Sequence, residues 1–560
     1  MNKITFLITF LIAILAVFKW IKERRPLYVN GLHEKADDNI ELRFEFVGFC
    51  LLIIFALAIR LYKFGTVPGG MNQDGAMAAV DAKALADYGT DRFGMYMPVH
   101  FTAWGSSQMS VLMSYCMVPF IKLFGLNSVT ARLPILIFSM IGLIALYFCT
   151  RYIFGVKAAL ITLFLAVVNP WHYIQSRWAL DCNMFPHVFM VGLFLLLCGV
   201  YKNNRYAYVS MIFFGLSMYC YGVSIYTVPF YLLIVAIYML KKRILSIKQI
   251  LVCVGIYLLI AFPFIMTMAI NTFGHESIET PLFTIPYFPD SVRSRDILFF
   301  SDDKLAQLKD NIHCLLQIIW RGDDLIWNTC PKYGVINKCL VPFFFLGIFY
   351  VTYLLRVNKD GKTRTGYVCL LTFLGIGLWC GIITASVNVN RVNILHYSLI
   401  IFVGIGVYFV YLNIKRISYV VFLTVAVLSV LFFRTYFTTY AEQVTENFSA
   451  DYIEAISFAN ESDCKSFVFS PCAKVSINPD ISEILTLFAL EIDAGYFKGE
   501  MTDENGLTYS EKYCFDFAGN TDLNVNDSVA YVITYDELYL FDEKEYSISQ
   551  FGRFYTVIPN

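Results

Sequence analysis

Two carboxylates, Asp74 and Asp81, lie in a stretch that begins with glycine-rich turn residues and continues as an alanine-rich segment, 69–82. This composition predicts a turn followed by an amphipathic helix, with Asp74 near the first helical turn. An acid at that position is stabilised by the helix N-terminus, so capping alone would account for it. Asp81 follows seven residues later on nearly the same helix face, so both carboxylates can point into one cleft and accept or donate protons there.

A second segment, 169–183, places Arg177 and Asp181 just beyond an apolar run that ends at Pro170. Its tryptophan and tyrosine residues are typical of a membrane interface. Arg177 and Asp181 are four residues apart, which suits a local ion pair, and this structural explanation weighs equally with a functional one. In a functional site, the arginine would offer a planar fork to phosphate oxygens.

The elements that position these side chains are mostly apolar. Of the 560 residues, 58% are hydrophobic, 17% aromatic and only 15% charged, and the mean hydropathy is +0.60. Soluble domains are far less apolar, and a helix crosses the hydrocarbon core with ~20 apolar residues. We therefore predict an α-helical polytopic membrane protein with about 12 transmembrane helices, at 4–20, 44–62, 132–150, 157–173, 185–201, 207–221, 224–240, 249–269, 338–355, 367–386, 397–413 and 418–434.

Basic residues collect in every second connection between these spans, and the positive-inside rule makes those connections cytoplasmic. The stretch 108–124 is apolar but short, and Pro119 and Lys122 interrupt it. We predict that it is a re-entrant or surface-lying juxtamembrane helix, because a crossing there would invert every later basic loop. The segments that then face outward are 63–131, 174–184, 270–337, 387–396 and the tail from 435.

Three regions follow from these patterns: an anchor helix with a cytoplasmic linker (1–43), a transmembrane domain (44–434) and a tail (435–560). Basic residues rather than a small-residue cleavage site follow the first apolar stretch, so we predict a retained anchor. Residues 441–560 hold 22 Asp and Glu against 6 Lys and Arg. β-rich runs and two helix-like segments, 451–460 and 481–490, predict a small extracytoplasmic α/β domain.

Metal, redox and ion-transport chemistry have little support. The 15 cysteines form no C-x-x-C pair, and the outer-loop histidines, among them His100, have no ligand spacing. We therefore expect no metal and no other cofactor. The span cores are almost free of charged residues, which argues against transport through buried carboxylates. No nucleic-acid partner is expected.

Four segments in order resemble a known family: Asp74 in the first outer loop, Phe124 to Pro134, Arg151 to Gly155, and Pro170 to Asn183. Together they resemble the membrane-embedded C-type glycosyltransferases, in particular the bacterial protein mannosyltransferase and aminoarabinose transferase group of glycosyltransferase family 39. The resemblance covers roughly 44–200 well and the remaining spans loosely. The tail matches only as the kind of outer domain that such proteins often carry.

The resemblance implies a helical bundle with its active site at the outer membrane surface, where a hexose or pentose is transferred with inversion from a polyprenyl-phosphate carrier. The partners would be this donor, membrane lipid and an extracytoplasmic acceptor, which is a cell-envelope glycan, lipid or protein. Asp74 matches the catalytic aspartate of the first loop and Asp181 the acid of the second. The family's Asp-Glu pair is absent because Gly75 follows Asp74, which leaves a partner role open for Asp81.

We expect Asp74 to be the general base, because a hydroxyl acceptor needs a carboxylate to take its proton. The charge that builds on the leaving phosphate needs a cation, with Arg177 as first candidate and Arg391 as second. Snorkelling at the interface explains Arg391 equally well. The long loop 270–337 is either a lid over the donor or a surface-lying helix from Lys304 to Trp320. The expected substrate-binding residues are Arg177, Arg391, His100, Asn183 and Arg293.

Two other classes of function remain open from the sequence. A flippase or transporter of lipid or polysaccharide would also need many spans, and a proteoliposome assay that separates transfer from movement distinguishes it. In a non-catalytic envelope assembly protein, the acidic tail would bind a partner while the bundle served as an anchor. Twelve crossings are excessive for an anchor. Span cores free of charge and acids concentrated outside favour a glycosyltransferase over a transporter.

Overall fold

The computed structural model describes residues 2–23, 39–104, 107–288, 297–322, 325–470, 478–515 and 528–560. In these ranges ten helices are long and apolar enough to cross a membrane, two of them together with the 3-10 turn that precedes them. With α-helices numbered in chain order, the ten are α1 (Asn2–Glu23), α2 (Asn39–Leu61), α5 (Ser128–Phe154), α8 (Asp181–Tyr201), α10 (Val228–Lys241), α11 (Ile247–Phe273), α13 (Val341–Val357), α14 (Gly361–Ile383), α15 (Asn393–Asn413) and α16 (Lys415–Thr435).

Two of the twelve predicted spans, 157–173 and 207–221, differ from the prediction in length. The first is a short helix, α6 (Val156–Val167), followed by α7 (Pro170–Gln175). The helix breaks there because Asn169 caps α7 through its side chain and Pro170 takes the first helical position. The second is α9 (Arg205–Leu216), which continues only as a 3-10 turn to Tyr219.

The core of the bundle surrounds α15, whose side chains are almost all buried. Glycines allow α13 to approach it closely: a Cβ on Gly347 would lie 1.9 Å from the Phe402 carbonyl oxygen. In lipid there is no hydrophobic driving force between helices, so they associate through close packing, which small residues at the crossing allow. The remaining helices pack around this pair.

The connections lie at two ends of the bundle. The basic end, formed by 151–157, 202–205, 241–247, 357–361 and 413–415, is tied together by contacts such as Arg151 with Glu45. The opposite end, called the site end here, is formed by 62–104, 107–127, 168–181, 274–288, 297–322, 325–340 and 384–392. The predicted alternation of basic and outer loops therefore agrees with the fold.

Short elements cover the site end. They are α3 (Gln73–Tyr88), α4 (Leu112–Phe124), α12 (Lys304–Arg321) and the antiparallel hairpins β1 (Phe101–Ala103) with β2 (Ser107–Met109) and β3 (Ile278–Glu279) with β4 (Thr284–Ile285). α4 has 13 residues, so it extends only about 20 Å. It packs against α3 and the start of α5, as expected for a juxtamembrane helix that does not cross. α12 contacts α14 and is mostly exposed.

The tail forms a small α/β domain, as predicted. Its helices are α17 (Ala441–Asn447), α18 (Ala450–Asn460), α19 (Pro479–Ala489), α20 (Ala494–Phe497) and α21 (Tyr509–Lys512). Its strands are β5 (Ser466–Phe469), β6 (Tyr513–Cys514), β7 (Val529–Thr534), β8 (Tyr546–Phe551) and β9 (Phe554–Pro559), in the sheet order β6-β5-β7-β9-β8. β5 is parallel to β6 and β7, while β8 and β9 form an antiparallel hairpin.

Candidate active site

Asp74 lies half-buried in the first turn of α3, at the site end of the bundle. It is not the cap of that helix: the Asn72 side chain is, because its Oδ1 accepts the Asp74 backbone N–H at 3.0 Å. The Asp74 carboxylate instead accepts a hydrogen bond from the Trp104 indole N–H, with 3.0 Å between Nε1 and Oδ1. The capping explanation therefore applies to Asn72, and Asp74 is held by a side chain from another element.

The loop 176–180, between α7 and α8, packs directly on the start of α3. A Cβ on Gly75 would lie 2.4 Å from the Ala179 carbonyl oxygen, so only glycine fits beside Asp74. Two residues beyond Ala179, Asp181 is the first residue of α8, and its Oδ1 accepts the Cys182 N–H at 2.6 Å. α3 and α8 are therefore in contact near the helix starts that carry Asp74 and Asp181. The structure thus brings the two predicted acids to one site.

Four asparagines, one of them on α8 itself, form a hydrogen-bonded cluster at the start of α8. Asn328 donates to Asn183 Oδ1 at 2.8 Å and to Asn390 Oδ1 at 2.5 Å, and Asn393 donates to the Cys182 carbonyl oxygen at 2.9 Å. Asn183, an expected substrate contact, is fully buried in this cluster. The cluster joins the third outer loop and the start of α15 to the helix that carries Asp181.

Asp81 lies apart from Asp74, about 10 Å further along the α3 axis. It is fully buried and pairs with Arg92, with 2.5 Å between Arg92 Nη1 and Asp81 Oδ2. Burial raises the pKa of the Asp81 carboxyl to about 6, although the positive charge of Arg92 favours the carboxylate. The structure therefore gives Asp81 an internal partner instead of a place in the cleft beside Asp74.

Arg177 does not pair with Asp181. It is buried, and each of its five N–H groups has an acceptor: the Tyr436 hydroxyl for Nε, and backbone oxygens for the other two nitrogens. Those oxygens belong to the end of α2 and the turn after it, at Ile59, Arg60, Lys63 and Val67. In this arrangement the guanidinium stabilises the turn between α2 and α3.

Arg391 is half-exposed in the loop between α14 and α15. Its Nη1 donates to the Ala385 carbonyl oxygen, and its backbone N–H donates to Asn388 Oδ1 at 2.9 Å. The preceding residue, Asn390, belongs to the asparagine cluster below Asp181. Of the two arginines expected at the phosphate, Arg391 is the one with an exposed part of its side chain.

The remaining predicted site residues are dispersed. His100 is buried, with its ring 5.2 Å from the Phe264 ring, and Arg293 lies outside the described residues. Among the residues described, no group of three or more His, Cys, Asp or Glu side chains is placed to hold a metal ion.

The end of α17 and the residue that follows it, Phe448, contact both acid-bearing loops. Thr445 Oγ1 accepts the Gly69 N–H at 2.9 Å, and the Phe448 carbonyl oxygen accepts the Met71 N–H at 2.9 Å. The Phe448 ring lies 4.3 Å from the Trp178 ring, three residues before Asp181. The entrance to the tail domain is thus part of the site's framework.

Sequence reasoning missed four residues that build this framework: Trp104, Arg92, Asn328 and Phe448. Each acts through a partner at least 11 positions away in the chain. No local spacing connects such residues. The only available signals were the position of Trp104 and Arg92 in the same outer loop as Asp74, and of Asn328 in the long loop 270–337.

Comparison with known proteins agrees with this architecture. Residues 109–267, less than a third of the chain, match the family described as dolichyl-phosphate-mannose-protein mannosyltransferase. The comparison with curated proteins gave no match. ArnT from Cupriavidus metallidurans bound to undecaprenyl phosphate superposes with a TM-score of 0.54 at 13% identity, over 91% of this chain and 97% of that one. Its apo state gives 0.52 at 14% identity, with the same coverage.

This is the fold of the membrane-embedded C-type glycosyltransferases. The family match lies inside that fold and supports a membrane glycosyltransferase that uses a lipid-linked donor. Archaeal AglB from Archaeoglobus fulgidus, an oligosaccharyltransferase, gives a TM-score of 0.44 at 11% identity, over 80% of this chain and 64% of that one. The matched segment begins at the end of β2 and contains Asp181, whereas Asp74 precedes it.

Proposed function

We propose that the chain transfers a sugar from polyprenyl phosphate to a hydroxyl acceptor at the outer membrane surface, with Asp74 as general base. The observation that supports this most is the close packing of α3 on the start of α8, where Gly75 contacts Ala179, two residues before Asp181. Asp74 lies in the first turn of α3 and Asp181 begins α8, so the proposal uses carboxylates from two neighbouring helix starts. The orientation follows from the positive-inside rule, which puts the basic end in the cytoplasm.

In the proposed reaction, the acceptor oxygen attacks the anomeric carbon as its proton passes to the Asp74 carboxylate. The bond between the anomeric carbon and the phosphate oxygen breaks, and polyprenyl phosphate leaves with the electron pair. Attack opposite the leaving group inverts the anomeric centre. Asp181, at the first turn of α8, orients the acceptor, and Arg391 stabilises the charge that develops on the phosphate.

Replacing Asp74 by Asn tests the base assignment. Asn keeps the size of the side chain, and the Asn72 cap remains, so the variant should fold. Only the capacity to accept a proton is lost, and kcat should fall by ~10²- to 10⁴-fold. The measurement is transfer from a polyprenyl-phosphate sugar by protein purified in detergent, with thermal unfolding as the check on folding. Near-normal kcat would remove Asp74 from the chemistry.

Arg391→Lys and Arg177→Lys form a matched pair that tests the phosphate contact. Lys keeps the charge but loses the fork. At the half-exposed Arg391, we expect kcat/KM to fall on the order of 10-fold to 100-fold with an unchanged Tm, since a hydrogen bond to a charged group contributes about 1.5–3 kcal/mol. At Arg177, the loss of several buried carbonyl contacts should lower Tm instead. A lower kcat/KM for Arg177→Lys and a lower Tm for Arg391→Lys would instead indicate that Arg177 contacts the phosphate.

A further inference from the structure

The structure assigns Trp104 as a positioning residue for Asp74, held in place by the Asp81–Arg92 pair; this rests on the proposed function. Trp104 follows β1 directly, at the turn of the β1–β2 hairpin, and its indole N–H reaches the Asp74 carboxylate at 3.0 Å. A carboxylate with one oxygen fixed in this way has the direction of its second oxygen fixed as well. A base that needs a defined approach to the acceptor hydroxyl gains from that restriction.

The hairpin that carries Trp104 is anchored rather than loose. Phe101, Ala103 and Met109 are buried and hold both strands in the core, in a register that pairs Phe101 with Met109 and Ala103 with Ser107. Trp104 is itself only half-buried. The side chain thus emerges from a fixed support toward Asp74.

The Asp81–Arg92 pair connects this hairpin to α3. Arg92 donates from Nη1 to Asp81 and from Nη2 to the Thr102 carbonyl oxygen at 2.9 Å, two residues before Trp104. Asp81 and Asp74 lie on the same helix. The arginine therefore fixes the position of the hairpin along the axis of α3, relative to Asp74. Asp81, which the sequence suggested as a second acid, therefore affects Asp74 indirectly, by helping to position Trp104.

Removal of the indole N–H should change the chemistry of Asp74. A hydrogen bond donated to a carboxylate favours its charged form, so its loss makes the base protonate more readily. For Trp104→Phe, we expect kcat to fall on the order of 10-fold to 100-fold. The acid limb of the pH–rate profile should move to higher pH, while KM for the donor stays near the wild-type value.

The experiment measures kcat, donor KM and the pH profile for Trp104→Phe beside Asp74→Asn, with thermal unfolding of each. Trp379→Phe is the matched control: Trp379 lies on α14, its indole N–H donates to the Tyr226 carbonyl oxygen, and loss of that bond should leave the profile unchanged. A wild-type pH profile for Trp104→Phe would overturn the inference, as would a raised KM with an unmoved limb, which would make Trp104 a substrate contact.

Arg92→Lys gives a second route if Trp104→Phe does not fold. Lys keeps a charge beside Asp81 but cannot reach both Asp81 and Thr102 with a fork. The acid limb should move in the same direction by a smaller amount, and an unmoved limb would overturn the role of the pair. Activity in Asp74→Asn would contradict the proposed function itself. If Asp74→Asn is inactive but the acid limb of the pH–rate profile does not move in Trp104→Phe or in Arg92→Lys, only this inference is contradicted.

Discussion

Arginine side chains at the site end use backbone carbonyl oxygens as partners. Arg177 fastens the end of α2, and Arg132 donates to the carbonyl oxygens of Gly65, Pro68 and Gly70 in the turn that follows. Carbonyl groups at a helix C-terminus carry partial negative charge, so a buried guanidinium is stabilised there. The turn that leads to Asp74 is thereby fixed from two sides.

At the residue scale, the sequence predicted the helix starts better than the side-chain partners. Asp74 and Asp181 were predicted from helix-start position and from family resemblance, and in the structure they lie at the starts of two helices that contact each other. The spacing of Arg177 and Asp181 suggested an ion pair that does not form, because Asp181 begins a new helix while Arg177 remains in the preceding loop. An i, i+4 argument holds only within one helix.

A double substitution separates structure from chemistry at Asp81. Asp81→Asn leaves Arg92 buried without its carboxylate, which should cost about 3–5 kcal/mol of stability. Asp81→Asn with Arg92→Gln removes both charges, and the amides can still pair with each other and with the Thr102 carbonyl oxygen. We expect the double variant to recover most of the Tm and of the transfer rate. A stable double variant without activity would contradict a role for the pair in stability alone.

At the element scale, hydropathy predicted nearly every helix but not where each one breaks. Asn169 and Pro170 are recognisable as a helix start, yet the run 157–173 is apolar enough to hide the break. The tail elements were predicted well because strand and helix periodicities differ: the structure has β5 at Ser466–Phe469 and α18 at Ala450–Asn460. The pairing of these elements with the bundle depends on contacts that no local pattern encodes.

Phe448, which follows α17 at the start of the tail domain, should affect kcat because it helps to position the acid-bearing loops. Its ring is 1% exposed and packs on Trp178, so Phe448→Ala removes a buried contact worth about 3–5 kcal/mol. Because the same segment holds Gly69 and Met71, we expect kcat to fall more than donor KM rises. Phe448→Leu, which keeps most of the volume, should preserve activity. The measurement is steady-state kinetics together with thermal unfolding.

Phe458→Ala is the matched control in the same domain. Phe458 is 38% exposed and contacts Phe551 within the tail, away from the acid-bearing loops. It should leave kcat near the wild-type value. Full kcat in Phe448→Ala, despite a lowered Tm, would contradict the view that this segment positions the acids.

At the scale of the whole molecule, the tail is docked on the first outer loop. α19 packs against α3, the Tyr88 hydroxyl donates to both carboxylate oxygens of Asp493 at 2.9 Å, and the Phe93 and Phe497 rings lie 5.8 Å apart. Glu483 on α19 lies near Arg92, and burial raises the pKa of its carboxyl. The acidic tail therefore shares a side of the membrane with Asp74.

That shared side makes orientation testable with the chain's own cysteines. Cys514 is exposed on β6 in the tail, whereas Lys362 is exposed at the basic end. The positive-inside rule puts the basic end in the cytoplasm. A membrane-impermeant maleimide should therefore label Cys514 in intact cells and Lys362→Cys only after permeabilisation, in a chain with Cys472→Ser. Cys514→Ser should reduce the first signal. Labelling of position 362 alone in intact cells would invert the topology and place Asp74 and Asp181 in the cytoplasm, away from a donor presented outside.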